Sequence, residues 1–223
     1  MTLIKACLFD LDGVIVDTAK YHYIAWKELA DKLGFSFTEQ HNELLKGISR
    51  MRSLEILLEI GRIKKNEDEK MALAYEKNER YIACIRKMTP GEILPGARQF
   101  LQALREKGIL TALGSASKNA PIILEQTGIL HLFDAVVDGN QVSKAKPDPE
   151  VFLKGAEQLQ VCPSECVVFE DAIAGIEAAK NAGMQCVGIG DARILGKADL
   201  IIPGFTDFTV EKLFAHFVKA REV

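Results

Sequence analysis

Short apolar runs alternate with longer segments of helical periodicity along most of this chain. The runs are rich in Val, Ile and Leu and are typical of parallel strands buried on both faces. Between them, apolar residues recur three and four positions apart, and several of these segments end at a glycine. The predicted strands lie at about residues 6–9, 109–113, 135–137, 166–169, 185–189 and 200–202.

The pattern changes between residues 17 and 88, where helical periodicity continues without an intervening strand. Strands that alternate with helices indicate a parallel sheet with helices on both faces. We therefore predict an α/β fold, with a doubly wound parallel-sheet (Rossmann-like) core in residues 1–16 and 89–223 and a small helical cap domain inserted at residues 17–88. The predicted helices cover about residues 18–33, 38–45, 53–60, 67–87, 97–107, 119–127, 149–159, 172–182 and 210–220.

Two details of the insert bear on its function. The chain crosses between the two units near residues 15–17 and 88–94, and these crossings are the expected hinge. The helix at about residues 67–87 carries charges of alternating sign, which indicate a solvated face.

Composition and charge narrow the range of partners. The net charge is −3 and hydrophobic residues make up 48% of the chain, which is ordinary for a globular protein and disfavours nucleic acid or an anionic membrane. No apolar run approaches the roughly 20 residues of a membrane span, and we expect no signal peptide. The five cysteines form neither a disulfide pattern nor a zinc-binding spacing. We expect a cytoplasmic monomer that acts on small molecules.

Two carboxylates follow the first predicted strand. Asp10 and Asp12 are separated by one residue and precede Gly13, which permits a sharp turn. Open α/β sheets place their chemistry at the carboxyl ends of their strands. One carboxylate of such a pair can bind Mg²⁺ and attack a phosphorus atom, while the other transfers a proton. A calcium loop is excluded by the apolar residues 14–16, and two exposed turn aspartates are the alternative.

The second predicted strand leads into a segment suited to phosphate. Ser115 and the amides of Ala116 and Ser117 can hold phosphate oxygens at a helix N-terminus. An ordinary helix cap is the alternative interpretation of these residues.

Two further segments carry charge near the same predicted edge of the sheet. Lys146 lies in a loop with two prolines and can act as a point charge beside the carboxylates, although a lysine in a loop is usually exposed. Glu170 and Asp171 follow the strand at about residues 166–169 and supply the hard oxygen ligands that Mg²⁺ prefers.

Taken in order, these segments resemble the four motifs of the haloacid dehalogenase superfamily of phosphotransferases. The resemblance covers the whole chain and implies that Asp10 forms an aspartyl-phosphate and that Asp12 is the general acid/base. It implies that Ser115 and Lys146 complete the catalytic set. It also implies one Mg²⁺ in each active site, bound by Asp10, the main-chain carbonyl of Asp12, Glu170 and Asp171.

A narrower resemblance, to the sugar-phosphate mutases of that superfamily, involves the insert. It implies that His22 and Lys77 orient Asp12 when the cap closes, and that Arg50 binds the phosphate that is not transferred. The residues implied in binding sugar or phosphate are Thr18, His22, Trp26, Lys46, Gly47, Ser49, Arg50, Ser53, Lys77, Ser115, Ala116, Ser117, Lys118 and Asn119.

The resemblance implies an isomerase that converts β-glucose 1-phosphate into glucose 6-phosphate, with β-glucose 1,6-bisphosphate as primer and intermediate. A sugar-phosphate phosphatase and a mutase of another sugar phosphate remain alternatives on the same core. A binding protein without activity is disfavoured because all the carboxylates are present. Gly114 departs from the alanine expected in relatives, and we expect it to change backbone freedom near the phosphate loop. Phe169 is an expected packing variation.

Overall fold

The computed structural model describes residues 4–45 and 48–219, and within them one parallel sheet has the strand order β3-β2-β1-β4-β5-β6. The predicted doubly wound architecture is confirmed. Because β1 lies between β2 and β4, the residues that follow these three strands meet at one edge of the sheet. The strands are β1 (Ala6–Phe9), β2 (Leu110–Gly114), β3 (Ala135–Val137), β4 (Cys166–Glu170), β5 (Gln185–Ile189) and β6 (Leu200–Ile202).

The helices agree with the predicted positions except at one start. The third helix begins at Arg50 and not near Ser53, because the side chain of Ser49 caps it by accepting a hydrogen bond from the Arg52 amide. Arg50 therefore lies in the first turn of this helix. The helices are α1 (Ala19–Lys32), α2 (Glu39–Glu43), α3 (Arg50–Ile60), α4 (Glu67–Ile85), α5 (Ala97–Glu106), α6 (Ala120–Thr127), α7 (Glu150–Gln158), α8 (Ile173–Asn181) and α9 (Val210–Lys219).

Side chains of β1 alternate between two hydrophobic clusters on opposite faces of the sheet. Cys7 and Phe9 belong to one cluster, while Ala6 and Leu8 belong to the other. Phe9 stacks on Phe169 of the neighbouring strand with ring centroids 4.7 Å apart, so Phe169 is a packing residue, as expected. This double burial holds the end of β1 rigidly where Asp10 begins.

Helices α1 to α4 enclose a third hydrophobic cluster, which includes Trp26 and Leu57. The chain enters and leaves this helical unit through two hydrogen-bonded segments: the Asp17 amide donates to the Glu92 carbonyl (3.1 Å), and the Leu94 amide donates to the Ile15 carbonyl (2.9 Å). The exact limits of the cap domain, and its hinge, stay predictions. Within residues 4–45 and 48–219, none of the helices combines the length and the apolar character that crossing a membrane requires.

Candidate active site

A buried lysine joins the ends of β1 and β4. Lys146 Nζ lies 2.6 Å from Asp10 Oδ1 and 2.6 Å from Glu170 Oε1, and its side chain is 1% exposed. Burial alone lowers the pKa of Lys146, but the charges of Asp10 and Glu170 outweigh it and raise the pKa above its usual value. The lysine is therefore cationic and holds the Asp10 carboxylate in one orientation.

Glu170 is buried behind Lys146. Its Oε1 accepts from Lys146 and its Oε2 accepts from the Ala172 amide at 2.9 Å. Burial raises its pKa, while Lys146 opposes this shift. Gly175 makes room for this carboxylate, because a Cβ at that position would collide with it. Glu170 thus has both oxygens engaged and orients Lys146.

Asp12 is held beside the nucleophile candidate by two contacts. Its amide donates to Asp10 Oδ2 (3.0 Å), and its carboxylate accepts a hydrogen bond from the Thr18 hydroxyl. Burial first, and the charge of Asp10 second, raise the pKa of Asp12 to about 7. A carboxyl group with such a pKa can both give and take a proton near neutral pH.

The oxygen atoms at this edge suit Mg²⁺. A Cβ on Gly13, whose φ is +80°, would overlap the Asp171 carboxylate, so Asp171 lies directly against the turn that carries Asp10 and Asp12. Carboxylates from two adjacent strands, with a main-chain carbonyl, are the donors that Mg²⁺ prefers while it keeps several other ligands. In the described part of the chain, His, Cys, Asp and Glu side chains form no metal-binding group of three or more.

The loop after β2 folds back on itself through its serines. The Ser117 amide donates to Ser115 Oγ (3.1 Å) and the Asn119 amide donates to Ser117 Oγ (3.2 Å). The Ser117 amide, expected to bind phosphate, therefore has a partner within the loop. Asn119 Nδ2 also donates to Asn78 Oδ1 of α4 at 2.9 Å, which links this loop to the helical unit.

A second lysine is buried on the helical side of the cavity. Lys77 Nζ lies 3.0 Å from His22 Nδ1 and 4.4 Å from the centroid of the Trp26 ring. Burial, followed by the charge of Arg50, lowers the pKa of Lys77 to about 7. Burial and the charges of Lys77 and Arg50 also hold the pKa of His22 well below its ordinary value. That His22 and Lys77 orient Asp12 when the cap closes stays a prediction; in this structure the Asp12 carboxylate accepts a hydrogen bond from Thr18.

One cavity of about 1320 Å³ brings most of the predicted residues together. Ser115 and Glu170 are buried behind its wall, each 1% exposed. Lys46 and Gly47 lie outside the described residues. The predicted residues that line the cavity are Asp10, Asp12, Thr18, His22, Trp26, Ser49, Arg50, Ser53, Lys77, Ala116, Ser117, Lys118, Asn119, Lys146 and Asp171.

Comparison with known proteins agrees with this arrangement. The family model of the haloacid dehalogenase-like hydrolases matches residues 4–183 of this sequence. The chain belongs to the haloacid dehalogenase-like hydrolase family. Within the family, it is 44% identical over 219 residues to the β-phosphoglucomutase of Bacillus subtilis, and the match covers 97% of each chain. It is 33% identical to the phosphorylated carbohydrates phosphatase of Thermotoga maritima, with 81% of this chain and 82% of that protein covered.

A family member of known structure has the same fold over almost its full length. The crystal structure of the β-phosphoglucomutase from Clostridium difficile superposes with a TM-score of 0.93 at 42% sequence identity. The superposition covers 98% of this chain and 99% of that one.

Gly114 departs from expectation within this family site. Its backbone needs no special freedom, because its φ lies outside the positive range in which the structure places other glycines. Instead, a Cβ at position 114 would come within 2.9 Å of the Phe152 ring, and the same ring lies 4.8 Å below Lys146 Nζ. Gly114 therefore makes room for the aromatic ring that supports Lys146, which corrects the expected role of this glycine.

Sequence reasoning missed Tyr81 and Phe152. Tyr81 contacts His22, with ring centroids 4.1 Å apart, and its ring centroid lies 4.7 Å from Lys77 Nζ. The signal available was spacing, because Lys77 and Tyr81 are four residues apart on α4 and so share a helix face. The structure buries this face, together with Ala74 and Ile85, and only the remaining faces of α4 are solvated as predicted.

Proposed function

We propose that this chain is a β-phosphoglucomutase, an isomerase that interconverts β-D-glucose 1-phosphate and D-glucose 6-phosphate through β-glucose 1,6-bisphosphate. The observation that carries the proposal is that one cavity joins Asp10 and Lys146 to the basic residues Arg50 and Lys77 of the helical unit. Its volume of about 1320 Å³ exceeds the roughly 300–1,000 Å³ of ordinary small-molecule sites. A hexose with a phosphate at each end suits such a cavity.

The chemistry assigns Asp10 and Asp12 separate roles. An Asp10 carboxylate oxygen attacks the phosphorus atom, and the bond from phosphorus to the sugar oxygen breaks. Protonated Asp12 gives its proton to the departing sugar oxygen and, in the return transfer, takes a proton from the accepting hydroxyl. Lys146 offsets the negative charge of Asp10 while the phosphate approaches.

Bound Mg²⁺ would screen the repulsion between these carboxylates and the phosphate. We assign its binding to Asp10, the Asp12 carbonyl and Asp171, with Glu170 behind them. Only a single ion is proposed for each active site.

The second phosphate needs its own site. We assign it to Arg50, which offers a two-pronged donor, with Ser117, Lys118 and Asn119. We assign recognition of the sugar hydroxyls to the segment from Lys46 to Ser53, which includes Gly47 and Ser49. The cap at residues 17–88 closes over the sugar, and the enzyme works as a cytoplasmic monomer; its free thiols suit a reducing compartment.

The direct test is ³¹P NMR of the protein with Mg²⁺, β-glucose 1-phosphate and a trace of β-glucose 1,6-bisphosphate. A mutase gives glucose 6-phosphate, requires the bisphosphate and releases little inorganic phosphate. The α-anomer of glucose 1-phosphate is the matched control and should not react. Inorganic phosphate as the main product would instead assign the activity of the Thermotoga relative, a phosphatase.

A mutase must also protect its acyl phosphate from water. Closure of the cap can exclude water and complete the site only when sugar is bound. We therefore expect His22→Ala to raise the ratio of hydrolysis to transfer, because His22 lies on the cap side against Lys77. The ratio is read from the same spectra as inorganic phosphate over glucose 6-phosphate. An unchanged ratio would contradict this coupling.

A further inference from the structure

Among the described residues, two buried side-chain atoms lack a hydrogen-bond partner: the Tyr81 hydroxyl and Asn42 Oδ1. Both residues line the cavity that contains Asp10 and Asp12. Leaving a buried polar atom without a hydrogen bond destabilises the folded state, so such atoms are rare in a folded protein. Their presence at the candidate active site points to partners acquired during function.

Tyr81 is fixed in place by its ring and not by its hydroxyl. The residue is 1% exposed, and its ring packs against His22, with Lys77 Nζ 4.7 Å from the ring centroid. Burial, and next the charge of Asp12, raise the pKa of Tyr81 well above its ordinary value. The phenol therefore keeps its proton and is available as a donor.

Thr18 is the neighbour that can accept a hydrogen bond from Tyr81. The Thr18 side chain lies near the Tyr81 hydroxyl, and the Thr18 hydroxyl donates a hydrogen bond to Asp12. A threonine hydroxyl has one donor and two acceptor positions. The Thr18 hydroxyl oxygen can thus accept a hydrogen bond from the Tyr81 hydroxyl while Thr18 continues to donate one to Asp12.

We propose that Tyr81 is a positioning residue for the general acid/base, acting through a relay in which its hydroxyl donates to Thr18 and Thr18 donates to Asp12. A hydrogen bond received by Thr18 polarises the one that it donates. The relay therefore holds the Asp12 carboxyl group toward the sugar oxygen during transfer. This inference rests on the proposed phosphoryl transfer to a sugar but not on which sugar is used.

The test compares two phosphoryl donors in Tyr81→Phe, which removes only the hydroxyl oxygen. A sugar phosphate needs the Asp12 proton, because its leaving group is an alkoxide. Acetyl phosphate does not, because its leaving group is a carboxylate that ionises near pH 4. We expect kcat with the sugar phosphate to fall about three- to ten-fold, as for loss of one neutral hydrogen bond, while phosphorylation of Asp10 by acetyl phosphate is unchanged.

A double-mutant cycle with Thr18→Val identifies the relay itself. If Tyr81 acts through Thr18, Tyr81→Phe has no further effect on kcat in the Thr18→Val background. Tyr23→Phe is the matched control, because the Tyr23 hydroxyl donates to the Phe37 carbonyl (3.5 Å) elsewhere in the helical unit, and its kcat should match the wild type. A melting temperature of Tyr81→Phe close to that of the wild type would show that the loss of kcat does not come from unfolding.

Three results would overturn the proposal: an equal loss with both donors, additive effects of the two substitutions, or no loss with the sugar phosphate. Failure of the mutase assignment would look different. In that case the wild type itself would release inorganic phosphate from the sugar phosphate, and the comparison between donors could still be made on that release.

Discussion

The two lysines buried in the cavity wall differ in the charge of their neighbours. On the core side, Lys146 contacts two carboxylates at 2.6 Å each. On the cap side, Lys77 has a neutral imidazole and two aromatic rings for neighbours, and its pKa is lowered to about 7. The positive charge of Lys146 is therefore paired before substrate arrives, whereas that of Lys77 would be stabilised by an anionic ligand.

The largest effect should come from the core. Replacing Asp10 by Asn removes the nucleophile while nearly preserving its shape, so we expect kcat to fall by about 10⁴ or more. The loss is measured as glucose 6-phosphate formation by ³¹P NMR, with acetyl phosphate labelling as a second readout. Retained labelling of the protein in Asp10→Asn would place the phosphoryl group on another residue.

Lys146→Met tests how far the core depends on its ion pairs. Removing the lysine leaves Asp10 and Glu170 buried without a cation, which should destabilise the protein by about 3–5 kcal/mol. Urea unfolding without Mg²⁺ measures the change. Lys144→Met is the matched control, since Lys144 is exposed and its pair with Asp148 spans 3.3 Å; it should change stability by less than about 1 kcal/mol. Equal effects would show that burial of the pair is immaterial.

Gly114→Ala tests the support beneath Lys146. The added methyl group meets the Phe152 ring, and such overpacking costs about 1–3 kcal/mol. Phe152→Leu in the same chain should recover part of this loss, which a double-mutant cycle in urea detects. Gly196→Ala, whose Cβ would meet nothing closer than 3.6 Å, is the control. Purely additive effects at positions 114 and 152 would refute the contact.

Lys77→Met tests the cap side, where the expected change over one pH unit is smaller than the changes above. The Lys77 pKa is about 7 in the folded protein and about 10.4 in an unfolded chain. Between these values the unfolded chain binds the extra proton, so wild-type stability should rise with pH relative to Lys77→Met, by at most about 1.4 kcal/mol per pH unit. The destabilisation caused by the buried positive charge of Lys77 is complete below pH 7 and disappears above about pH 10.4. Urea midpoints at pH 7.5 and 8.5 measure the slope, and a parallel dependence in both proteins would contradict the lowered pKa.

The sequence was sufficient for the core because its chemistry follows from topology. Asp10, Lys146 and Glu170 come from distant segments, yet strand order brings strand ends together, and the residue types at those ends indicate the reaction. The contacts made by buried residues of the cap could not be predicted from the sequence. Lys77 and Tyr81 occur in a helix dominated by charges, and their burial depends on packing against α1, which a local pattern does not contain.

The same distinction applies to small residues. Gly13 was predicted to permit a sharp turn, and its φ of +80° agrees. Gly114 was assigned the same kind of role, but the space that it leaves is filled by Phe152 from a helix almost forty positions later in the chain. A glycine needed for its backbone conformation can be inferred from the local sequence. A glycine needed to make room for another side chain cannot, because that side chain comes from a distant part of the sequence.

The paired crossings into the helical unit have a consequence for protein engineering. Because the Asp17 amide donates to the Glu92 carbonyl, the two ends of the inserted segment are already adjacent. Cutting the chain at these two residues and joining them with a tight turn would impose little loop-closure entropy on the remaining core. The same junction would accept a different helical segment, while Asp10 and its ion pair with Lys146 are left in place.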